Sequence, residues 1–213
     1  MNDYVNFIFR YKKDLDFIRI QGNLVGEWAN VFEHCLTEGM VAEILGTELQ
    51  LSDCDTLVRA AILHDWFKRH EREAVKIGGA TQYDKAAIEN GLKLQSANYS
   101  ERIIELTQSV GHTSLMKIMT SDDFTARLMH YIDDITYNNN VVVIDERMDN
   151  LESADRYKEL NESGRNIFSG RTYFQIQRSL AHKIEQDIAI KLNIKDQDVV
   201  PLVQTKLAKY KPI

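Results

Sequence analysis

Four side chains in this sequence could act together on one ion: His34, His64, Asp65 and Asp133. Two imidazoles and two carboxylates suit a borderline-to-hard divalent metal, which leaves Mn, Fe, Co, Ni, Zn and Mg as candidates for a single bound ion. Four protein ligands leave about two positions of an octahedral ion open for water and a substrate oxygen. Such an ion polarises a carbonyl or phosphoryl oxygen and activates water, so the chemistry in view is metal-assisted hydrolysis. Any one of these residues alone reads better as a core histidine or a helix-surface acid. The set of four carries the metal reading.

The elements that must position them are helical. Leu36, Met40, Val41, Ile44 and Leu45 recur on one helix face. At about 100° per residue, His34 lies within roughly 20° of Val41 and Leu45 and points inward. Leu57, Ala60, Ala61 and His64 stand at i, i+3, i+4 and i+7, on a helix introduced by Ser52 and Asp53 or Asp55 as caps. Asp65 then ends the apolar run Ala60-Ala61-Ile62-Leu63, where an unpaired carboxylate is costly. Ile103, Ile104, Leu106 and Val110 mark a helix stopped by Gly111, and Phe124, Leu128, Ile132 and Ile135 mark one starting near Ser121-Asp122-Asp123. On that helix Asp133 shares its azimuth with Ala126 and Met129, whereas Asp134 tracks with Arg127 and His130. The first face is the more apolar, so Asp133 is the inward ligand and Asp134 is expected to pair with Arg127 or to support the ligands. Leu180, Ile184 and Ile188 define a long helix over about 172 to 192. The two prolines, Pro201 and Pro212, stand near the end and interrupt little. After Asn138-Asn139-Asn140, the β-branched run Val141 to Ile144 is either a short strand or a buried loop. The expected fold is all-α with at most a minor β element after residue 140.

The order of these residues resembles the HD superfamily of metal-dependent phosphohydrolases. The matching text is Glu33-His34-Cys35-Leu36 leading into Met40-Val41-Ala42, then Arg59-Ala60-Ala61-Ile62-Leu63-His64-Asp65, then Tyr131-Ile132-Asp133-Asp134-Ile135. It covers about residues 30 to 137, the metal-binding core of an HD-type helical bundle. The whole chain, 1 to 213, is then one domain with a carboxy-terminal helical extension from about 145 to 213. The resemblance implies a metal held by His34, His64, Asp65 and Asp133, with Asp65 also orienting the attacking water. Lys68, three residues beyond Asp65, matches a lysine found after the pair in many HD proteins. It would contact a substrate phosphate or protonate a leaving oxygen, a solvated lysine being the other reading. His112, just past Gly111, is a candidate for the same two roles. The segment from Tyr83 to Leu94 lacks the histidines of two-metal members, so one metal is expected rather than two. Arg19 matches the arginine that some HD nucleotidases place over the substrate phosphate, against a plain surface salt bridge. Trp66 and Phe67 depart from the small residues usual at that point, and core packing is their expected role.

The substrate implied is a nucleotide or a related small phosphorylated metabolite, and a nucleotide-sensing module without turnover is the alternative. A net charge of −6 with a sequence pI of 5.5 provides no global positive field to draw in nucleic acid or anionic membranes. Hydrophobic residues make up 44% of the chain and charged ones 27%, the balance of an ordinary globular protein. Cys35 and Cys54 form no CxxC pair and read as reduced thiols. No signal peptide or spanning run is visible, so a cytoplasmic location is expected. Arg147, Arg156, Arg165 and Arg171 lie in the carboxy-terminal portion, which either closes over the pocket or forms a homodimer contact.

Overall fold

The computed structural model describes residues 2–78, 82–111 and 114–210. Among them the chain forms α1 (Asp3–Arg10), α2 (Lys12–Ile20), α3 (Ala29–Glu48), α4 (Cys54–Leu63), α5 (Lys68–Gly78), α6 (Gln82–Ser96), α7 (Glu101–Gln108), α8 (Leu115–Met119) and α9 (Phe124–Ile135). The ribbon β1 (Thr136–Tyr137) and β2 (Asn140–Val141) follows, then α10 (Ile144–Glu152), α11 (Lys158–Ile167), α12 (Tyr173–Leu192) and α13 (Val199–Leu207). The fold is therefore an all-α bundle with one short β element.

Local chemistry sets several helix starts. Asp123 accepts from the Ala126 amide at 3.1 Å and caps α9. Thr172 and Gln175 exchange side-chain and backbone hydrogen bonds in a capping box that opens α12. Asp53 occupies the cap position of α4 but makes no capping bond. Its carboxylate instead accepts from Thr125 Oγ1 at 3.3 Å, a tertiary contact that displaced the local one expected from sequence.

Helix α3 is the inner element. Every residue from His34 to Gly46 is buried, so the helix is enclosed on all sides rather than along one stripe. Its most extensive partner is α4. Two glycines seven residues apart permit that approach. A Cβ on Gly39 would meet Ile62 Cγ1 at 2.6 Å, and one on Gly46 would meet Cys54 Sγ at 2.5 Å. Missing side chains on α3 thus let α4 lie close, and α4 ends at His64.

The ribbon is antiparallel, with Thr136 opposite Val141 and Tyr137 opposite Asn140. Asn138 turns it at φ 55°, a left-handed conformation that asparagine tolerates better than most residues. The expected strand run is therefore split: Val141 pairs in β2, whereas Ile144 begins α10. The carboxy-terminal helices join the same core, one hydrophobic cluster reaching from Phe7 to Val203. Helix α12 packs on α9 and α10, and α13 packs on α3. Lys206 meets Glu48 at 2.7 Å, and Tyr210 donates to Glu43 at 2.9 Å. Cys35 and Cys54 are free thiols. No helix of the described residues is long and apolar enough to cross a membrane.

Candidate metal centre

Three elements converge on one point. His34 and Glu38 lie one turn apart on α3, His64 caps the carboxy-terminal end of α4, and Asp133 stands in the last turn of α9. Each offers a ligand atom, and these four atoms all lie within 4.8 Å of one another, a group that could hold a metal ion. His34 Nε2 is 3.0 Å from Glu38 Oε1 and 3.5 Å from Asp133 Oδ1. The second carboxylate oxygen of Glu38 is 3.0 Å from His64 Nδ1.

The outer hydrogen bonds decide which ring atoms face inward. His34 Nδ1 donates to the Asn138 carbonyl at 3.1 Å, and His64 Nδ1 donates to the Ala61 carbonyl at 2.8 Å. A carbonyl only accepts, so each ring must carry its proton on Nδ1 and can present an Nε2 lone pair to an ion. The turn of the ribbon is thus part of the site, because it supplies the acceptor that orients His34.

The donor set fits a metal by its own unsatisfied chemistry. Both carboxylate oxygens of Glu38 and Nε2 of His64 are buried without a hydrogen-bond partner among the described residues. The imidazole nitrogens near Glu38 are close but not aligned for a hydrogen bond. Leaving such groups unmet is expensive, and a cation accepting their lone pairs would satisfy them all.

Asp65 borders this group. Its Oδ2 is 3.7 Å from His64 Nε2, and its Oδ1 accepts from Lys68 Nζ at 3.0 Å. Burial would raise the Asp65 pKa, but Lys68, His64 and His34 pull it down to about 2. The same pairing outweighs burial at Lys68 and raises its pKa. Burial likewise opposes ionisation of Asp133, yet His34 and Arg147 hold it well below the usual carboxylate range. Burial disfavours charge on His34 too, but Glu38 and Asp133 hold its pKa well above the ordinary imidazole value. Glu38 goes the other way, raised by burial despite the two histidines. The side chains of Asp65, Asp133 and Lys68 are 20%, 23% and 30% exposed, against 0% for Glu38 and 3% for His64. The aspartate side is thus the more open edge of the cluster.

Of the residues expected in the site, His34, His64 and Asp133 come together, with Asp65 and Lys68 alongside. Arg19 is exposed and its guanidinium lies 5.0 Å over the Phe32 ring, two residues before His34. His112 falls outside the described residues. Trp66 and Phe67 are core residues, 1% and 2% exposed, with Trp66 Nε1 donating to Asn90 at 2.6 Å. Asp134 does not pair with Arg127, which binds Asp187 instead. Asp134 is fully buried, accepts from Gln177 and lies 3.7 Å from His130. Helix α9 is covered on both flanks, so the apolar-face argument that ranked the two aspartates does not describe their burial. Asp133 joins the cluster because its flank faces α3, while the flank of Asp134 is covered by α12. Burial and the neighbouring Asp133 charge raise the Asp134 pKa well above the ordinary value.

Glu38 was not among the expected site residues, and Arg147 was named only as one of four arginines of a carboxy-terminal portion expected to close over the pocket or to form a homodimer contact. Glu38 follows His34 at i+4, a spacing that places both on one helix face, and that spacing was the available clue. Arg147 of α10 brings Nη2 to 3.8 Å from Asp133 Oδ1, and only the tertiary packing of α10 on α9 reveals this. A shallow depression lined by Asp3, Asn6, Phe9, Arg10 and Tyr210 shares no residue with the cluster. No protein-family profile, curated protein or solved structure matches the chain.

Proposed function

We propose that this protein is a metal-dependent phosphohydrolase acting on a phosphate ester of a nucleotide or a related small metabolite. The observation that carries the reading is the grouping of His34, Glu38, His64 and Asp133 within 4.8 Å of one another, with buried unpartnered atoms on Glu38 and His64 and a partly exposed edge at Asp65. The HD-like order of His34, His64-Asp65 and Asp133 supports the reaction class. When bound, a divalent ion supplies Lewis acidity toward a phosphoryl oxygen and activates water as the nucleophile.

The chain's own residues do the rest. His34 and His64 are fixed in one tautomer by the carbonyls of Asn138 and Ala61 and present Nε2. Asp65, kept ionised by Lys68, is placed to accept a proton from water at the exposed edge. Lys68 Nζ stays cationic there and can donate to a phosphoryl or leaving-group oxygen.

Metal analysis of the purified protein, followed by assays of a nucleotide panel and p-nitrophenyl phosphate with Mn, Co, Ni, Fe, Zn and Mg, tests this. Turnover that vanishes in His64→Ala and Asp65→Ala, with helical content retained, is the expected result. Stoichiometric metal with no hydrolysis of any substrate would overturn it. One observation favours a second reading, a metal-holding nucleotide-sensing module. Glu38 completes a group of four without Asp65, and Asp65 binding as a fifth donor would leave fewer positions open on an octahedral ion. Calorimetric nucleotide binding without product would decide for it.

A further inference from the structure

We propose that Arg147 is the anion-binding residue of this site, placed to take phosphoryl oxygens of a ligand that also meets the metal. The inference rests on the metal-centre reading but not on hydrolysis. Arg59 grips Asp14 with two bonds at 3.1 and 3.2 Å, and Arg102 grips Asp123 with two at 2.6 and 2.9 Å. Arg147, although its side chain is only 13% exposed, makes no such bond among the described residues. Its nearest carboxylate oxygen, Asp133 Oδ1, is 3.8 Å from Nη2, beyond hydrogen-bond length. Its Nε is buried without a partner, and its guanidinium lies 5.2 Å over the Tyr137 ring. A planar fork of donors is thus held beside the cluster with its hydrogen-bonding capacity in reserve, the arrangement that suits a tetrahedral oxyanion.

The helix that carries Arg147 is fixed in place. Ile144, Met148 and Leu151 bury one face of α10, and Arg178 of α12 spans Asp145 and Asp149. Thr172 Oγ1 donates to Glu152 at 2.8 Å. The guanidinium is therefore delivered by a docked element.

Charge balance explains why this anion would come with the metal. With His34 neutral, as metal binding requires, Glu38, Asp65 and Asp133 against Lys68 and Arg147 leave one net negative charge before the ion is counted, which repels an anion. A divalent ion turns that into a net positive charge. Of the two cations, Lys68 commits one of its three N–H groups to Asp65 at 3.0 Å, whereas the Arg147 guanidinium makes no hydrogen bond among the described residues and has its whole fork to offer.

The test is calorimetric titration of inorganic phosphate into the full chain, metal-free and with saturating Mn²⁺, below the solubility limit of manganese phosphate. Mn²⁺ affinity is measured separately for each protein. In Arg147→Gln, phosphate binding to the Mn²⁺ form should weaken by about 10- to 100-fold, the loss expected for hydrogen bonds to a charged group. Mn²⁺ affinity should stay within about threefold of wild type, the residual effect of one nearby charge at high effective dielectric. Arg147→Lys should fall between, because a point charge replaces a fork. Unchanged phosphate affinity in Arg147→Gln would overturn the proposal. So would a parallel loss of Mn²⁺ affinity, which would make Arg147 merely a support for Asp133. Absence of phosphate binding by wild type, with or without Mn²⁺, would also overturn it. Arg147-dependent phosphate binding without turnover of any ester would sink the hydrolase reading and leave this one standing.

Discussion

Glu38 sits with no exposed surface between two imidazoles, and neither of its oxygens has a hydrogen-bond partner among the described residues. A carboxylate so placed is tolerated when a cation is due to join it. Glu38→Gln keeps the shape and removes the charge, so metal affinity should drop by roughly 10-fold or more, on the scale of hydrogen-bonded metal-site residues. The increase in melting temperature on adding Mn²⁺ should shrink accordingly, and an unchanged increase would remove Glu38 from the ligand set. His34 provides a pH test. Its folded pKa is raised by Glu38 and Asp133 above the ordinary 6.5. Its contribution to metal-free stability is therefore complete below about 6.5, declines above that, and is gone once pH passes the folded value. Asp65 has the opposite sign: lowered to about 2 from 3.8, it contributes above 3.8 and loses that contribution as pH falls toward 2. Because a metal must displace the proton of His34, the gap in melting temperature between Mn²⁺-loaded and EDTA-treated protein should widen as pH rises from 6 toward 8. A gap independent of pH would exclude His34 as a ligand.

Among the elements, the pairing of α3 with α4 sets the distance from His34 and Glu38 to His64. Gly39 and Gly46 make that pairing close, since side chains there would meet Ile62 and Cys54. Gly39→Ala should destabilise the protein by about 1–3 kcal/mol, the usual cost of overpacking, read as a lower denaturation midpoint. It should also weaken metal binding, because a shift of α4 that relieves the clash with the Ile62 side chain carries His64 with it. A stable variant with wild-type metal affinity would show that α4 shifts without consequence for the site. The starts of α9 and α12 were legible in sequence because Asp123 and Thr172 act on amides two or three residues away. Asp53 misled for the converse reason: its carboxylate reaches Thr125, a partner far along the chain. The flank rule on α9 failed likewise, because α12 covers the side that a lone amphipathic helix would leave to water.

Across the molecule, the carboxy-terminal helices are bonded into the same body as the histidine helices. Tyr131 of α9 donates to Glu185 of α12 at 2.7 Å, with the tyrosine fully buried. Tyr131→Phe would leave that carboxylate short of a partner and should cost about 1–3 kcal/mol, measurable by chemical denaturation. A neutral outcome would show that water replaces the hydroxyl. The sequence by itself determined the helical class, because apolar periodicity and caps act over a few residues. It also singled out three of the four clustered residues, because His34, His64 and Asp133 stand in a family-like order. Only the tertiary structure decided that Glu38 completes the group and that Arg147 adjoins it. It alone decided, too, that the Asn138 carbonyl orients His34. The reason is physical: a buried carboxylate, a backbone acceptor and a guanidinium 109 residues further along than Glu38 are related by packing, and packing between distant segments leaves no local periodicity to read.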